Sequence, residues 1–147
     1  MKFVLDTAAL VSAIRSDTGA AAEIVRLAAL GKLTLLLDLK LVCEYREVAM
    51  RAEHVTASGK TLEDAEAVIS LLEAIAMPVL VVTKHRPLSQ DPNDDMVMDV
   101  AINGHADAIV TKNVRDFAAA TECFGIPVLT PGSFLTRWRR GGFNHEG

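Results

Sequence analysis

Short apolar runs along the chain alternate with longer segments in which apolar residues recur every three or four positions. A run of four or five apolar residues, bounded by polar or turn-forming residues, is typical of a strand that is covered on both faces of its sheet. The longer segments have helical spacing and predict helices that pack on those faces. The predicted strands lie at residues 2–6, 33–37, 79–82, 108–111 and 126–129.

This alternation predicts an α/β fold in which a central parallel sheet of about five strands lies between two layers of helices. Thr61 to Asp64 has the pattern of a capping box at a helix start. We find no linker or internal repeat, so we expect one domain at residues 1–140 and a flexible tail at 141–147. The helices are expected near residues 7–14, 20–30, 40–51, 61–76, 94–103, 117–120 and 131–138, with polar loops at 53–60 and 84–87.

Composition and charge limit the classes of function. Half of the residues are hydrophobic, 5% are aromatic, and the net charge is -4. This balance argues against a broadly basic nucleic-acid-binding surface, although it allows a local basic path. Cys43 and Cys123 lack zinc-ligand spacing, so reduced thiols are expected. No apolar run approaches the ~20 residues of a membrane span, and no signal sequence is recognised, so we expect a cytoplasmic protein without membrane contact.

Two acidic residues follow predicted strands. Asp6 ends the first apolar run, and Asp116 ends the turn that leaves the run at 108–111. Each taken alone is better explained as a helix N-cap. In a parallel sheet, however, both lie at the carboxyl edge, where sites form. Carboxylates gathered there raise one another's pKa unless a cation relieves them, and oxygen ligands without His or Cys suit Mg²⁺ or Mn²⁺.

A third candidate is Asp94, which lies in an acidic turn that leads into a predicted helix. At about 100° per residue, the apolar residues of that helix surround the direction of Asp94, whereas Asp95 and Asp99 fall on its polar side. We therefore expect Asp94 to point inward, where a buried charge needs a partner. Helix capping explains the other acids of this turn.

The periodicity of apolar residues does not identify Glu44 as a site residue. It shares one helix face with Lys40, Glu47 and Arg51, which is the pattern of a solvated, salt-bridged face.

The order and spacing of four segments resemble the PIN-domain nucleases, and in particular the small VapC-like toxins of prokaryotic toxin–antitoxin pairs, over nearly the full chain. The segment at 3–7 resembles the opening strand with the first catalytic Asp, and that at 43–48 resembles the segment with the catalytic Glu. The segment at 91–95 is similar to the acidic turn before the third acid. The segment at 106–113, followed by 115–117, is similar to the turn of the fourth acid.

The resemblance implies a PIN-like three-layer fold and a set of site residues. Many relatives have an acid where this chain has Asn113, so the role of fourth acid falls on Asp116. Asp95 is the alternative third acid and a further possible metal ligand. Catalysis and metal binding are thereby assigned to Asp6, Glu44, Asp94 and Asp116, orientation of carboxylates or water to Thr7, Thr111 and Asn113, and contact with the RNA backbone to Lys112 and Arg115. Lys112 and Arg115 are equally well explained as ordinary solubilising surface residues.

The activity that the resemblance implies is hydrolysis of RNA phosphodiester bonds by water that Mg²⁺ or Mn²⁺ activates. A cognate antitoxin and a homodimer are the implied partners. The alternative is a non-catalytic PIN-like domain that binds RNA or serves as a scaffold, which we rank lower because all four acids are present. A phosphatase of the haloacid-dehalogenase type is a poor fit because Ala8 stands where a second Asp is required. A response-regulator receiver fits poorly because Asp6 has no adjacent acid.

Overall fold

A computed structural model describes residues 1–51, 59–84 and 91–143 of the chain. The predicted polar loops at 53–60 and 84–87 lie largely outside these residues, and so do residues 144–147. No helix in the described part of the chain is long and apolar enough to span a bilayer.

The sheet has five parallel strands, as the alternation of apolar runs and helices predicts. Its order is β3-β2-β1-β4-β5. The central strand, β1, is paired on both sides, with Phe3 opposite Leu35 of one neighbour and Ala108 of the other. The strands are β1 (Lys2–Leu5), β2 (Thr34–Leu37), β3 (Met77–Pro78), β4 (Ala108–Val110) and β5 (Val128–Leu129).

Helices cover both faces of this sheet, so the predicted three-layer α/β/α arrangement is confirmed. The capping box at Thr61 and Asp64 is also confirmed, because each side chain accepts the other residue's backbone N–H. A short 3₁₀ helix at Val114–Phe117 follows β4. The α-helices in the described residues are α1 (Thr7–Arg15), α2 (Ala20–Ala29), α3 (Leu39–Ala49), α4 (Leu62–Ile75), α5 (Pro92–Asn103), α6 (Ala118–Phe124) and α7 (Pro131–Arg139).

The third strand differs from its predicted position at 79–82. The structure places β3 at Met77–Pro78, and only the backbone N–H of Val79 extends the pairing, to the carbonyl of Leu37. The backbone N–H groups of Val82 and Thr83 instead donate to the side-chain oxygen of Asn103, at 3.1 and 3.0 Å. The apolar run therefore leaves the sheet and is held by α5.

The central strand and the C-terminal helix contribute buried side chains to one hydrophobic core. Phe3, Val4 and Leu5 of β1 are at most 1% exposed. Phe143 lies within the predicted tail but packs against Phe134, with ring centroids 5.4 Å apart. The guanidinium of Arg137 lies 4.5 Å from the centroid of the same Phe143 ring.

Candidate active site

Asp6 joins the central strand to the first helix. Its Oδ1 accepts the backbone N–H of Ala9 at 2.8 Å and so caps α1. Its Oδ2 accepts the hydroxyl of Thr111 at 2.5 Å, across to the end of β4. The side chain is only 5% exposed. The cap and the site are therefore not competing explanations, since the two carboxylate oxygens have different partners.

The pKa of the Asp6 carboxyl is raised above its ordinary value, chiefly by burial and further by the negative charge of Asp116. The hydrogen bonds from Thr111 and Ala9, and the charge of Lys112, offset part of this rise in pKa. Asp116 therefore lies close enough to act on Asp6, although its own side chain is exposed. The end of β1 and the turn after β4 meet at one edge of the sheet.

Thr111 connects Asp6 to that turn. Its side chain is fully buried, and its Oγ1 both donates to Asp6 and accepts the backbone N–H of Asn113 at 2.9 Å. Because the N–H of Asn113 occupies a lone pair of the hydroxyl, the hydroxyl hydrogen is directed at the carboxylate. Asn113 acts on the site through its backbone, since its side chain is exposed.

Glu44 lies on α3 and is half-buried. Its Oε2 accepts the hydroxyl of Thr7 at 3.0 Å, which attaches α3 to the first residue of α1. Its pKa is raised mainly by burial, then by the charges of Asp91 and Glu47, while the Thr7 hydrogen bond and Arg51 lower it. The solvated face that periodicity predicts is correct for Lys40, Glu47 and Arg51, which are exposed, but Glu44 is drawn inward.

Tyr45 is a residue of this region that the sequence analysis did not identify. It is fully buried, and its hydroxyl donates to the backbone carbonyl of Leu5, immediately before Asp6. Burial, together with the charges of Asp6, Glu44 and Asp38, raises its pKa well above the usual value. Tyr45 therefore fixes α3, and with it Glu44, to the end of β1. It is the single tyrosine of the chain, which was an available but non-specific signal.

The predicted orientation of the acids in α5 is wrong. Asp95 and Asp99 are the buried acids, at 4% and 3% exposure, whereas Asp94 is half-buried. The periodicity argument assumed one solvated side. The middle of α5 is instead covered almost all round by strands β1, β2 and β4 and by helix α3. Asp94 and Asp95 both lie in the first turn of α5, which Asp91 caps. The charge of Asp91 raises the pKa of Glu44, so this end of α5 faces the Glu44 side of the site.

A groove of about 380 Å³ opens beside Glu44, between one face of α1 and one face of α3. We call it the α1/α3 groove. It carries three cationic side chains, which belong to Arg15, Arg51 and Lys112. The ammonium of Lys112 donates to the hydroxyl of Ser12 at 3.0 Å, so the turn after β4 reaches across to α1. Arg115, the other predicted RNA-binding residue, is exposed in the 3₁₀ helix.

The donor chemistry at this edge fits a hard divalent cation. The carboxylates of Asp6, Glu44 and Asp116 offer only oxygen. Burial, together with neighbouring negative charge, raises the pKa of Asp6 and of Glu44, and a bound cation would favour their ionised forms. Within residues 1–51, 59–84 and 91–143, however, no three His, Cys, Asp or Glu side chains form a group that could already hold an ion.

Comparison with known proteins identifies the fold and the family of this chain. A search of curated proteins gives no match. Among solved structures, the chain is similar to the crystal structure of VapBC2 from Rickettsia felis bound to a DNA fragment from their promoter. That match has a TM-score of 0.56 and 18% sequence identity, and it covers 88% of this chain and 97% of that chain, so it is a likeness of fold. A model of the PIN domain, a family whose members are typically nucleases, matches residues 2–115. Because that match spans well over half of the sequence, the chain belongs to the PIN-domain family.

Proposed function

We propose that this protein is an Mg²⁺- or Mn²⁺-dependent endoribonuclease that hydrolyses RNA phosphodiester bonds, and that it is the toxin of a type II toxin–antitoxin pair. The observation that carries the proposal is the buried Asp6 carboxylate at the carboxyl end of the central strand. Its pKa is raised by burial and by Asp116, so the ionised form needs a positive charge that the protein supplies only in part.

The proposed ligands are Asp6, Glu44 and Asp116, together with Asp94 or Asp95 of the first turn of α5. Carboxylate oxygens are the donors that Mg²⁺ and Mn²⁺ prefer. When bound, such an ion polarises the phosphate and lowers the pKa of a water molecule, so that a nucleophile is available at neutral pH.

The residues around these carboxylates restrict their motion. Thr7 donates to one oxygen of Glu44, while the two oxygens of Asp6 accept from Thr111 and from the backbone N–H of Ala9, so the orientation of each carboxylate is restricted. Groups of this kind orient ligands and influence their basicity. Lys112 and Arg115 are exposed next to Asp116 and are proposed to contact the phosphates of the RNA.

The proposed partners are a cognate antitoxin and a second copy of the chain. The structural neighbour is a complex of two different proteins, VapBC2, which supports a protein partner by analogy of fold. Leu39 and Leu80, which are 74% and 80% exposed, line one surface cavity together with Val79 and Val81, and such a contiguous apolar surface is a candidate for coverage by a partner.

The direct test is cleavage of RNA by the full chain and by Asp6→Asn. We expect the parent to cleave in Mn²⁺ and to lose activity in EDTA. We expect Asp6→Asn to lose about 100-fold or more in rate, because loss of a residue that only orients a metal ligand already costs ~10–100-fold and Asp6 is a proposed ligand itself. Asn keeps an oxygen that can accept the Ala9 N–H, so the cap of α1 is retained. Glu122→Gln removes an exposed carboxylate outside the proposed set and is the matched control.

Cleavage by Asp6→Asn at the parental rate contradicts the proposal. A parent that binds RNA but never cleaves it in either metal supports the alternative, a non-catalytic RNA-binding or scaffold domain. A Mn²⁺ titration of the same assay with Asp94→Asn and Asp95→Asn decides the third acid, because the substitution of the metal ligand should lower Mn²⁺ affinity and the rate more than the substitution of its neighbour.

A further inference from the structure

One face of α1 and one face of α3 form the two walls of the α1/α3 groove. Along α1 it is lined by Thr7, Val11 and Arg15, which lie one turn apart on a single helix face. Along the other wall, Glu44 and Arg51 are seven positions apart, so Arg51 follows the same face of α3 beyond its last turn. Each wall therefore begins at the Glu44–Thr7 hydrogen bond and ends on an arginine.

The groove has three exposed cationic side chains, although the protein as a whole is negatively charged. Arg15, Arg51 and Lys112 are all exposed, whereas the chain as a whole carries a net charge of -4. Glu47 and Asp91 lie near Glu44 and raise its pKa, so negative charge is concentrated at the inner end of the groove. Arg51 lowers the pKa of Glu44 and Lys112 lowers the pKa of Asp6, so these cations flank the negative charge.

The length of the groove suits a segment of extended polyanion. Thr7 and Arg15 are eight residues apart on α1, which corresponds to about 12 Å of helix. The groove volume of about 380 Å³ accommodates a small number of chain units and not a folded domain.

The floor of the groove offers no platform for bases. The described residues that line it between the charged ends are small or aliphatic, such as Ala8, Val11 and Val48, and no aromatic ring is among them. Stacking on aromatic side chains is the main non-electrostatic way in which proteins hold single-stranded nucleic acids. A strand bound here would be held by its phosphates.

We propose that the α1/α3 groove binds the sugar–phosphate backbone of single-stranded RNA next to the bond that is cleaved, with Arg15, Arg51 and Lys112 each contacting a phosphate. The inference rests on the proposed function, because the nuclease site gives the groove its inner end. It adds Arg15 and Arg51, which lie on α1 and after α3, to the residues that meet the substrate. Binding along the groove is independent of base sequence.

The test measures the salt dependence of binding in the full chain that carries Asp6→Asn, so that the RNA is not cut. Fluorescence anisotropy of a labelled single-stranded RNA of mixed sequence gives the affinity at a series of salt concentrations. For single strands, the slope of log K against log salt changes by about 0.7 for each phosphate contact. We expect Arg15→Gln, Arg51→Gln and Lys112→Gln each to reduce the steepness of the slope by about 0.7.

Lys32→Gln is the matched control, because it removes the same charge from an exposed lysine that precedes β2 at the opposite edge of the sheet. It should leave the slope unchanged. If the three groove variants keep the slope of the Lys32→Gln protein, the inference is overturned. It is also overturned if polyglutamate displaces the RNA at equal charge concentration, because the groove would then select an acidic protein segment.

The two proposals fail separately. Reduced slopes in a protein whose parent never cleaves RNA support the groove and remove the nuclease. Cleavage by the parent combined with unchanged slopes retains the nuclease and overturns the groove.

Discussion

At the scale of single residues, Asp6 stabilises one element while its charge opposes folding. Its Oδ1 caps α1, and its Oδ2 meets Thr111, yet the carboxylate is 5% exposed and has a raised pKa. Between the ordinary value of 3.8 and its folded value, the folded state binds more protons than the unfolded state. The free energy of unfolding therefore decreases as the pH rises through this window.

We predict that Asp6→Asn makes the metal-free protein more stable than the parent at pH 7. The amide has no charge to desolvate, so the decrease described above is absent from the variant. The advantage should shrink as the pH is lowered. It should disappear below the ordinary pKa of 3.8, where the Asp6 carboxyl is protonated in both the folded and the unfolded state. Urea unfolding in EDTA over a pH series measures the difference. Glu122→Gln is the control of matched charge at an exposed carboxylate, and parallel pH curves for Asp6→Asn and the parent would contradict the explanation.

The residues differ in how far the sequence could identify them. Asp6 was accessible because it ends an apolar run, and Asp116 because it follows another. Glu44 was selected only by resemblance, since its burial depends on the hydrogen bond from Thr7, 37 positions away. Tyr45 was not identified from the sequence, because its hydroxyl donates to a backbone carbonyl of a distant strand and this contact has no signal in the local sequence pattern.

At the scale of elements, α5 shows where periodicity ceases to apply. An amphipathic pattern reports which side of a helix meets water, and the middle of α5 meets almost none. Asp95 and Asp99 are consequently buried although they fall on the nominally polar arc. The type and approximate limits of the helix were still predicted, because its proline and acidic first turn are local signals.

Gly104 sets the approach of α5 to the sheet. A Cβ at this position would lie 2.8 Å from Leu36 Cδ1 and 2.9 Å from both the carbonyl oxygen of Val100 and Val79 Cγ2. We predict that Gly104→Ala destabilises the fold by about 1–3 kcal/mol, because a packed junction between the helix end, β2 and the chain after β3 must open. The free energy of unfolding in urea measures this.

Gly132→Ala in α7 is the control, because no atom lies within 4 Å of the added methyl. It should be neutral or stabilise the protein by up to about 1 kcal/mol through helix propensity. Equal effects of the two substitutions would show that the contacts of Gly104 do not limit the position of α5.

At the scale of the whole molecule, the fold class was predictable and the strand order was not. Alternating runs and helical segments are sufficient for a parallel sheet with covered faces. The placement of β1 between β2 and β4 depends on pairings such as Leu5 with Val110, which join residues more than a hundred positions apart. The site inherits the same limitation, because its position at one edge was predictable but the distances between its carboxylates were not.

Phe143 attaches the end of the described chain to the last helix. Phe143 packs on Phe134 and receives the Arg137 guanidinium over its ring. Ending the chain after Arg140 should therefore cost about 1–2 kcal/mol, since a half-buried aromatic side chain contributes somewhat less than a fully buried one. A chain that ends after Phe143 lacks only residues 144–147 and should unfold at the same urea concentration as the parent. A loss of stability in the chain that ends after Phe143, or no loss in the chain that ends after Arg140, would contradict this role of Phe143.

The hydrogen bond between Thr111 and Asp6 joins the first strand to a residue 105 positions later. During synthesis, the ribosome releases Asp6 long before its partner, and β1 then has one sheet neighbour where the finished molecule has two. Any nascent or truncated product that stops before Thr111 lacks this anchor and the turn that carries Lys112 and Asp116. Asp6 can therefore be joined by Thr111 and Asp116 only after the last third of translation has begun.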